Sequence, residues 1–162
     1  IPLMEEVSIV TVCTFAGHRE VYQANISEAL DQALAEIIEN DNSIRFLVGG
    51  MGEFDKMCAS AVRRAKRKYP NAEISLELVL PYLTNDINEN KSFYEMSYDN
   101  IIVPFELAGV HYKSVITKRN RWLVDNSDWL IAFVYRDFGG AYTTLRYAEK
   151  KGLQIVNLAK QI

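Results

Sequence analysis

The sequence is poor in cysteine. Of its 162 residues only Cys13 and Cys58 are thiols, too few for a disulfide framework, and no CxxC pair or Cys/His cluster with zinc spacing occurs. Neither a metal nor a cofactor is expected, and both cysteines read as reduced, buried thiols. No stretch comes near the roughly 20 apolar residues of a membrane span. The start, Ile1-Pro2-Leu3-Met4, lacks the regions of a signal peptide. A cytoplasmic protein without a membrane partner is the expectation, with Met4 read as an initiator and residues 1–3 as a remnant ahead of it. A basic excess is missing too: 18 Lys and Arg stand against 21 Asp and Glu, a net charge of −3. That balance argues against nucleic acid as a partner. Glycine is scarce at eight residues, so where each one falls matters.

What is present is the pattern of an α/β domain over residues 1–162. Apolar runs at Ser8–Cys13, Ile44–Val48, Ile74–Leu80, Trp129–Tyr135 and Gln154–Leu158 read as strands. Between them, apolar residues recur at helical spacing from Asn25, from Phe54, from about Tyr112 to Val124 and from Ala141. Asn25 with Glu28 resembles a capping box. The stretch from Tyr82 to Asn100 has no sustained period and reads as a loop, a candidate lid. Apolar strands alternating with amphipathic helices predict a Rossmann-like three-layer sandwich whose sheet is mainly parallel, with five strands or slightly more.

In such a sheet ligands sit beyond the carboxyl ends of the strands. Gly17, Gly49, Gly50, Gly52, Gly139 and Gly140 fall in turns after the first, second and fourth strands. Glycine turns that open helices let an anion approach free N–H groups, so three together point to a phosphorylated ligand. Each alone is only a tight turn. No P-loop and no strict GxGxxG spacing follows. Thr143 and Thr144 place hydroxyls in the first turn of the last helix, where capping and phosphate binding are equally served. Arg19 is suited to hold phosphate in bidentate fashion or is a surface residue. His18 orients its loop or acts as acid or base.

Arg119 lies on the inward stripe of its helix and wants a counter-charge from Asp125, Asp128 or a ligand. Asn120 and Asp125 flank it as further binding candidates, although Asp125 also suits a plain helix-to-strand connection. Arg63, Arg64, Lys66, Arg67 and Lys68 read as a solvated helix face. Glu53 and Asp55 suit the positive end of a helix dipole, and equally could bind ribose hydroxyls or act as weak catalytic candidates.

Taken in order, Thr14-Phe15-Ala16-Gly17-His18-Arg19, Gly49-Gly50-Met51-Gly52-Glu53-Phe54-Asp55, Leu78-Val79-Leu80-Pro81-Tyr82, the segment Lys118 to Asp128, and Gly139-Gly140-Ala141-Tyr142-Thr143-Thr144 resemble the YpsA-like branch of the SLOG superfamily. That group shares a Rossmann-like fold with the DprA/Smf DNA-uptake proteins and with cytokinin-activating phosphoribohydrolases. The resemblance implies binding of a nucleotide-derived small molecule, such as an ADP-ribose-like compound or a nucleoside monophosphate. Gly49, Gly50, Gly52, Gly139, Gly140, Thr143 and Thr144 would line its phosphates and ribose, with Arg19 and Arg119 as charge partners. The alternatives are nucleotide N-glycosidase activity and single-stranded DNA binding. Against hydrolysis, Tyr142 replaces the third glycine of the phosphoribohydrolase pattern and Arg146 stands where its catalytic glutamate belongs. The oligomeric state is left open, a homo-oligomer included.

Overall fold

The apolar runs form six parallel strands in one sheet, ordered β4-β3-β2-β1-β5-β6. These are β1 (Thr11–Gly17), β2 (Ser43–Val48), β3 (Glu73–Val79), β4 (Asn100–Ile102), β5 (Trp129–Phe133) and β6 (Gln154–Asn157). The computed structural model describes residues 9–21 and 25–160, so the reading of residues 1–3 as a remnant lies outside the described residues. The helices among them are α1 (Ile26–Asn40), α2 (Gly52–Lys68), α3 (Asn85–Glu89), α4 (Lys91–Ser97), α5 (Tyr112–Asp125) and α6 (Gly140–Lys151).

Alternate strand residues serve opposite faces, because successive side chains leave a strand on opposite sides. Cys13, Phe15, Phe46, Ile131 and Phe133 pack with Leu30, Leu34 and Ile37 of α1 and Phe54, Cys58 and Val62 of α2. Ala16, Leu130 and Ala132 pack with Val124 of α5 and Leu145 and Ala148 of α6. Both sides of the sheet are therefore covered, which is why the central strands carry no polar alternation. The result is the expected Rossmann-like three-layer sandwich, with a sixth strand. Burying each of the large apolar side chains, Phe46, Phe54 and Phe133 among them, contributes roughly 1.5–3 kcal/mol.

Four local expectations need correction. The first strand does not stop at Cys13 but continues through Gly17, paired with β5 from Cys13 opposite Trp129 to Gly17 opposite Phe133. Its polar Thr14 is tolerated because the hydroxyl donates to the Leu47 carbonyl at 3.0 Å. Second, the stretch Tyr82 to Asn100 is not a loop: it holds α3 and α4, helices of five and seven residues, too short to display an amphipathic period. Tyr94 and Tyr98 pack against the α1–α2 side of the core, and nothing in this stretch lines the cleft described below.

Third, Asn25 precedes α1 in the left-handed region, φ 72°, and its side chain makes no capping bond, so there is no capping box. Fourth, the basic face of α2 is not merely solvated. Arg63 donates to the Ser97 carbonyl at 2.9 Å, Arg64 pairs with Asp31 at 2.9 Å, and Lys66 pairs with Asp99 at 2.7 Å. These bonds tie α2 to α1 and to the α4–β4 junction.

The chain builds β1 to β4 outward in one direction and then returns to place β5 on the other side of β1. The order reverses between β1 and β5, and a crevice lies at the carboxyl ends of the strands about this switch point.

Candidate functional site

That crevice is occupied by a cleft of about 460 Å³. The end of β1 and its loop supply Thr14 to Glu20, the turn after β2 supplies Gly49 and Met51, and α2 supplies Asp55. From α5 come Arg119 and Asn120, and Arg136, Gly140 and Thr144 close the far side. Most of the residues singled out from sequence thus converge on one place. Gly17, His18, Arg19, Gly49, Asp55, Arg119, Asn120, Gly140 and Thr144 line the cleft, whereas Gly50, Gly52, Glu53, Asp125, Gly139 and Thr143 do not.

The residues outside have other tasks. Glu53 accepts the Val21 N–H at 3.1 Å, and its own N–H bonds the Arg19 carbonyl at 3.3 Å, so it holds the loop after β1. Asp125 ends α5, away from the carboxyl edge, and accepts the Tyr147 hydroxyl at 2.7 Å. It serves the helix-to-strand connection and not the cleft. Asp128 likewise accepts the Val12 N–H at 2.9 Å. Neither is the counter-charge of Arg119.

Arg119 is buried and its donors meet backbone. Nη1 donates to the carbonyls of Gly49 at 3.1 Å and Val79 at 2.9 Å, Nε donates to Asn120 Oδ1 at 3.0 Å, and Nη2 reaches Met51 Sδ at 3.6 Å. Four of the five guanidinium hydrogens are engaged, and the two on Nη1 brace the carboxyl ends of β2 and β3. Asp55 stands on the other side of Gly49: a Cβ built there would lie 3.1 Å from both Arg119 Cζ and Asp55 Oδ2. Only glycine lets the two side chains flank the turn this closely. Asp55 Oδ2 also accepts the Met51 N–H at 3.1 Å.

The loops after β1 and β5 are stitched together. Arg136 N–H donates to His18 Nε2 at 3.3 Å, His18 N–H to the Phe133 carbonyl at 3.2 Å, and the Tyr135 hydroxyl to the Glu20 carbonyl at 3.1 Å. Burial first, and then the Arg136 charge, lower the pKa of His18, which keeps the ring a neutral acceptor. His18 therefore orients its loop. The Thr143 and Thr144 hydroxyls donate to the carbonyls of Gly139 and Gly140, at 3.0 and 2.9 Å, so neither caps the helix start. The leading N–H groups of α6 have no intrahelical acceptor. Arg19 is exposed, and its side chain makes no hydrogen bond or ion pair among the described residues.

Sequence reasoning missed Arg136, Glu20 and Met51. Arg136 follows directly on the strand read as Trp129–Tyr135, so the carboxyl-end rule that selected Arg19 would also have found it. Another residue outside the cleft, His111, accepts the Lys113 N–H on Nδ1 at 3.2 Å and caps α5.

No family model matches the chain, and no curated protein is similar to it. Solved structures are. DNA processing protein A from Helicobacter pylori, a structure described for its single-stranded DNA binding mode, superposes with a TM-score of 0.60 at 15% identity, over 90% of this chain and 63% of that one. DNA processing protein A (DprA) from Streptococcus pneumoniae superposes with a TM-score of 0.53 at 10% identity, over 93% of this chain and 59% of that one. The fold is shared with DNA processing protein A. The chain spans about three-fifths of each of these DprA chains.

This likeness overturns the exclusion of nucleic acid as a partner, since a DprA protein of the same fold is described as binding single-stranded DNA. Net charge was the wrong measure. It averages over the whole surface, whereas a strand feels the local field of the groove it enters. The cleft here brings Arg19, Arg119 and Arg136 together with the carboxylates of Glu20 and Asp55, a local excess of one cation on a chain whose net charge is −3. Among the described residues no helix is long and apolar enough to cross a membrane.

Asp55 brings a pH dependence. Burial raises its pKa from 3.8 to about 6, against the opposing pull of the Met51 N–H and the Arg119 charge. Between these two values the folded state holds more protons than the unfolded state, so stability falls as pH rises through the window. With partial solvent access allowed for, the effect is on the order of 2 kcal/mol. Asp55→Asn keeps an acceptor for Met51 and removes the charge. Thermal unfolding from about pH 3 to about pH 7, ~1 unit beyond each of those two values, should show the wild type losing more stability than the variant as pH rises. Parallel curves would reject the assignment.

Proposed function

We propose that the carboxyl-edge cleft binds a phosphate-bearing unit of single-stranded DNA. The observation that carries this reading is Arg19, an exposed guanidinium with no side-chain partner among the described residues, in the same cleft as the open N-terminus of α6. A guanidinium fork and free helix N–H groups are complementary to a phosphate oxygen set. The fold shared with DprA supports a strand as the source of that phosphate. Phosphate contacts of this kind hold a strand without reading its bases.

The test is fluorescence polarisation with a labelled oligothymidylate of about twelve nucleotides. Saturable binding is expected at about 50 mM salt, weakening as salt rises, with a slope reduced by roughly 0.7 in Arg19→Ala. Loss of one charge-assisted contact of about 1.5 kcal/mol or more should weaken binding about tenfold. A folded wild-type protein that leaves the probe free at low salt would refute this reading.

A second reading has its own support. A volume of about 460 Å³ suits one small ligand, and the YpsA-like motifs point to a nucleotide-derived molecule. Calorimetry against nucleoside monophosphates, adenine nucleotides and ADP-ribose, with released base measured on the same samples, separates the two. Of the two carboxylates read from sequence as catalytic candidates, Asp55 alone lines the cleft, so base release that survives Asp55→Asn would exclude it as the catalytic acid.

A further inference from the structure

A second cleft, of about 300 Å³, opens between α5 and α6 and shares Asn120, Gly140 and Thr144 with the first. Its own walls carry Arg121, Arg146 and Lys150, and no carboxylate lines it. Two helices packed side by side ordinarily close their seam with apolar residues. Leu145 and Ala148 do so at the sheet-facing side, and outside them the seam opens into a cationic trough. Arg146 is 2.8 Å from Glu149, and Arg121 lies 5.5 Å from the centre of the Tyr147 ring. Lys150 makes no ion pair among the described residues.

Tyr147 gives the trough a fixed floor. Its hydroxyl is anchored on Asp125 at 2.7 Å, and the Lys151 ammonium also stands 5.5 Å from the ring centre. The residues Arg121 and Lys150 have no task in the first cleft. We infer that the α5–α6 trough is a second backbone subsite, taking a neighbouring phosphate of the same single strand whose first phosphate sits by Arg19. This rests on the strand-binding reading and extends it from one nucleotide unit to a continuous track. The shared wall of Asn120, Gly140 and Thr144 makes the two clefts contiguous, and Arg121 and Lys150, neither ion-paired among the described residues, match a polyanion.

The experiment compares Arg121→Ala/Lys150→Ala with wild type in polarisation titrations, using an oligothymidylate of about twelve nucleotides and one of about two. For the long strand the slope of log affinity against log salt should fall by roughly 1.4, about 0.7 for each lost contact. Affinity at fixed salt should fall about tenfold. The short probe, confined to the first cleft, should bind both proteins alike. Arg67→Ala/Lys68→Ala removes the same charge from the far end of α2 and should leave the slope for the long strand unchanged.

Unchanged affinity and slope for the long strand in the trough variant, with Arg19→Ala still impaired, overturn the second subsite alone. An equal loss in the α2 control also overturns it, by reducing the effect to net charge. If wild type binds no strand, the reading beneath it falls as well. Arg121→Lys/Lys150→Arg, which keeps both charges, should restore the wild-type slope, and its failure to do so in a folded protein counts against the subsite.

Discussion

Arg119→Met should destabilise the protein by about 3–5 kcal/mol, because it removes the charged donor that two buried carbonyls share. The side chain keeps much of its length, so the loss is one of donors and charge and not of volume. The carbonyls of Gly49 and Val79, both bonded to Nη1, are left buried without it, at about 1–3 kcal/mol each where water cannot replace the donor. Asp55 loses the one cation that opposes its desolvation. For a chain of this size the melting temperature should drop by about 10 °C or more.

Arg119→Lys keeps the charge but has no planar fork to span Gly49, Val79 and Asn120, so it should fall between the two. Adding Asp55→Asn to Arg119→Met should recover part of the loss, because the carboxylate left uncompensated is removed. Chemical denaturation of the four proteins measures this coupling. A loss below about 1 kcal/mol for Arg119→Met would mean that the guanidinium braces nothing.

Gly17→Ala should be comparably damaging, at about 3 kcal/mol or more, for a different reason. Gly17 has no unusual backbone requirement and ends β1 in register with Phe133. A Cβ there would overlap Cδ1 and Cγ of Phe54 and lie 2.9 Å from its Cβ. Phe54 has nowhere to go: it is 1% exposed and stacks on Phe133 with ring centres 5.9 Å apart. Either the ring leaves the core or β1 separates from β5, and β1 carries the loop that presents His18 and Arg19.

Phe54→Leu should therefore make Gly17→Ala less costly than in the wild-type background, a non-additivity readable from denaturation midpoints. Equal costs in both backgrounds would place the strain elsewhere. The soluble fraction of Gly17→Ala should also bind strands weakly, since the Arg19 loop depends on the β1–β5 seam.

Much of this fold was legible because its signals are local. The strands Ile44–Val48 and Trp129–Tyr135 and the helix read from Phe54 follow from apolar spacing and turn residues within a few positions of each other. The misreadings have local causes of the same kind. Thr14 made β1 look finished, since a hydroxyl in a strand gives no sign that a carbonyl 33 residues away will accept it. Helices α3 and α4 are too short to show a period, and Asn100–Ile102 becomes a strand only because β3 offers it an edge.

Gly17 was read as a turn glycine because glycine usually marks turns. Its true reason is an aromatic ring 37 residues further along. The site divides in the same way. Arg19 and Gly140 were identified by their place at strand ends, whereas Arg136 was passed over and Asp125 was assigned to the wrong edge.

By itself the sequence determined the layer architecture, the parallel sheet and the edge at which the cleft opens, because periodicity and the right-handed crossover rule leave few other arrangements for alternating strands and helices. It also settled that six of the eight glycines would gather near that edge. Only the tertiary structure decided which charges face one another. Arg119 braces two strand ends, Arg19 has no side-chain partner among the described residues, and the cations of α5 and α6 share a trough, although the whole chain is acidic. Charge is summed along a sequence, but it acts over a few ångströms of folded surface.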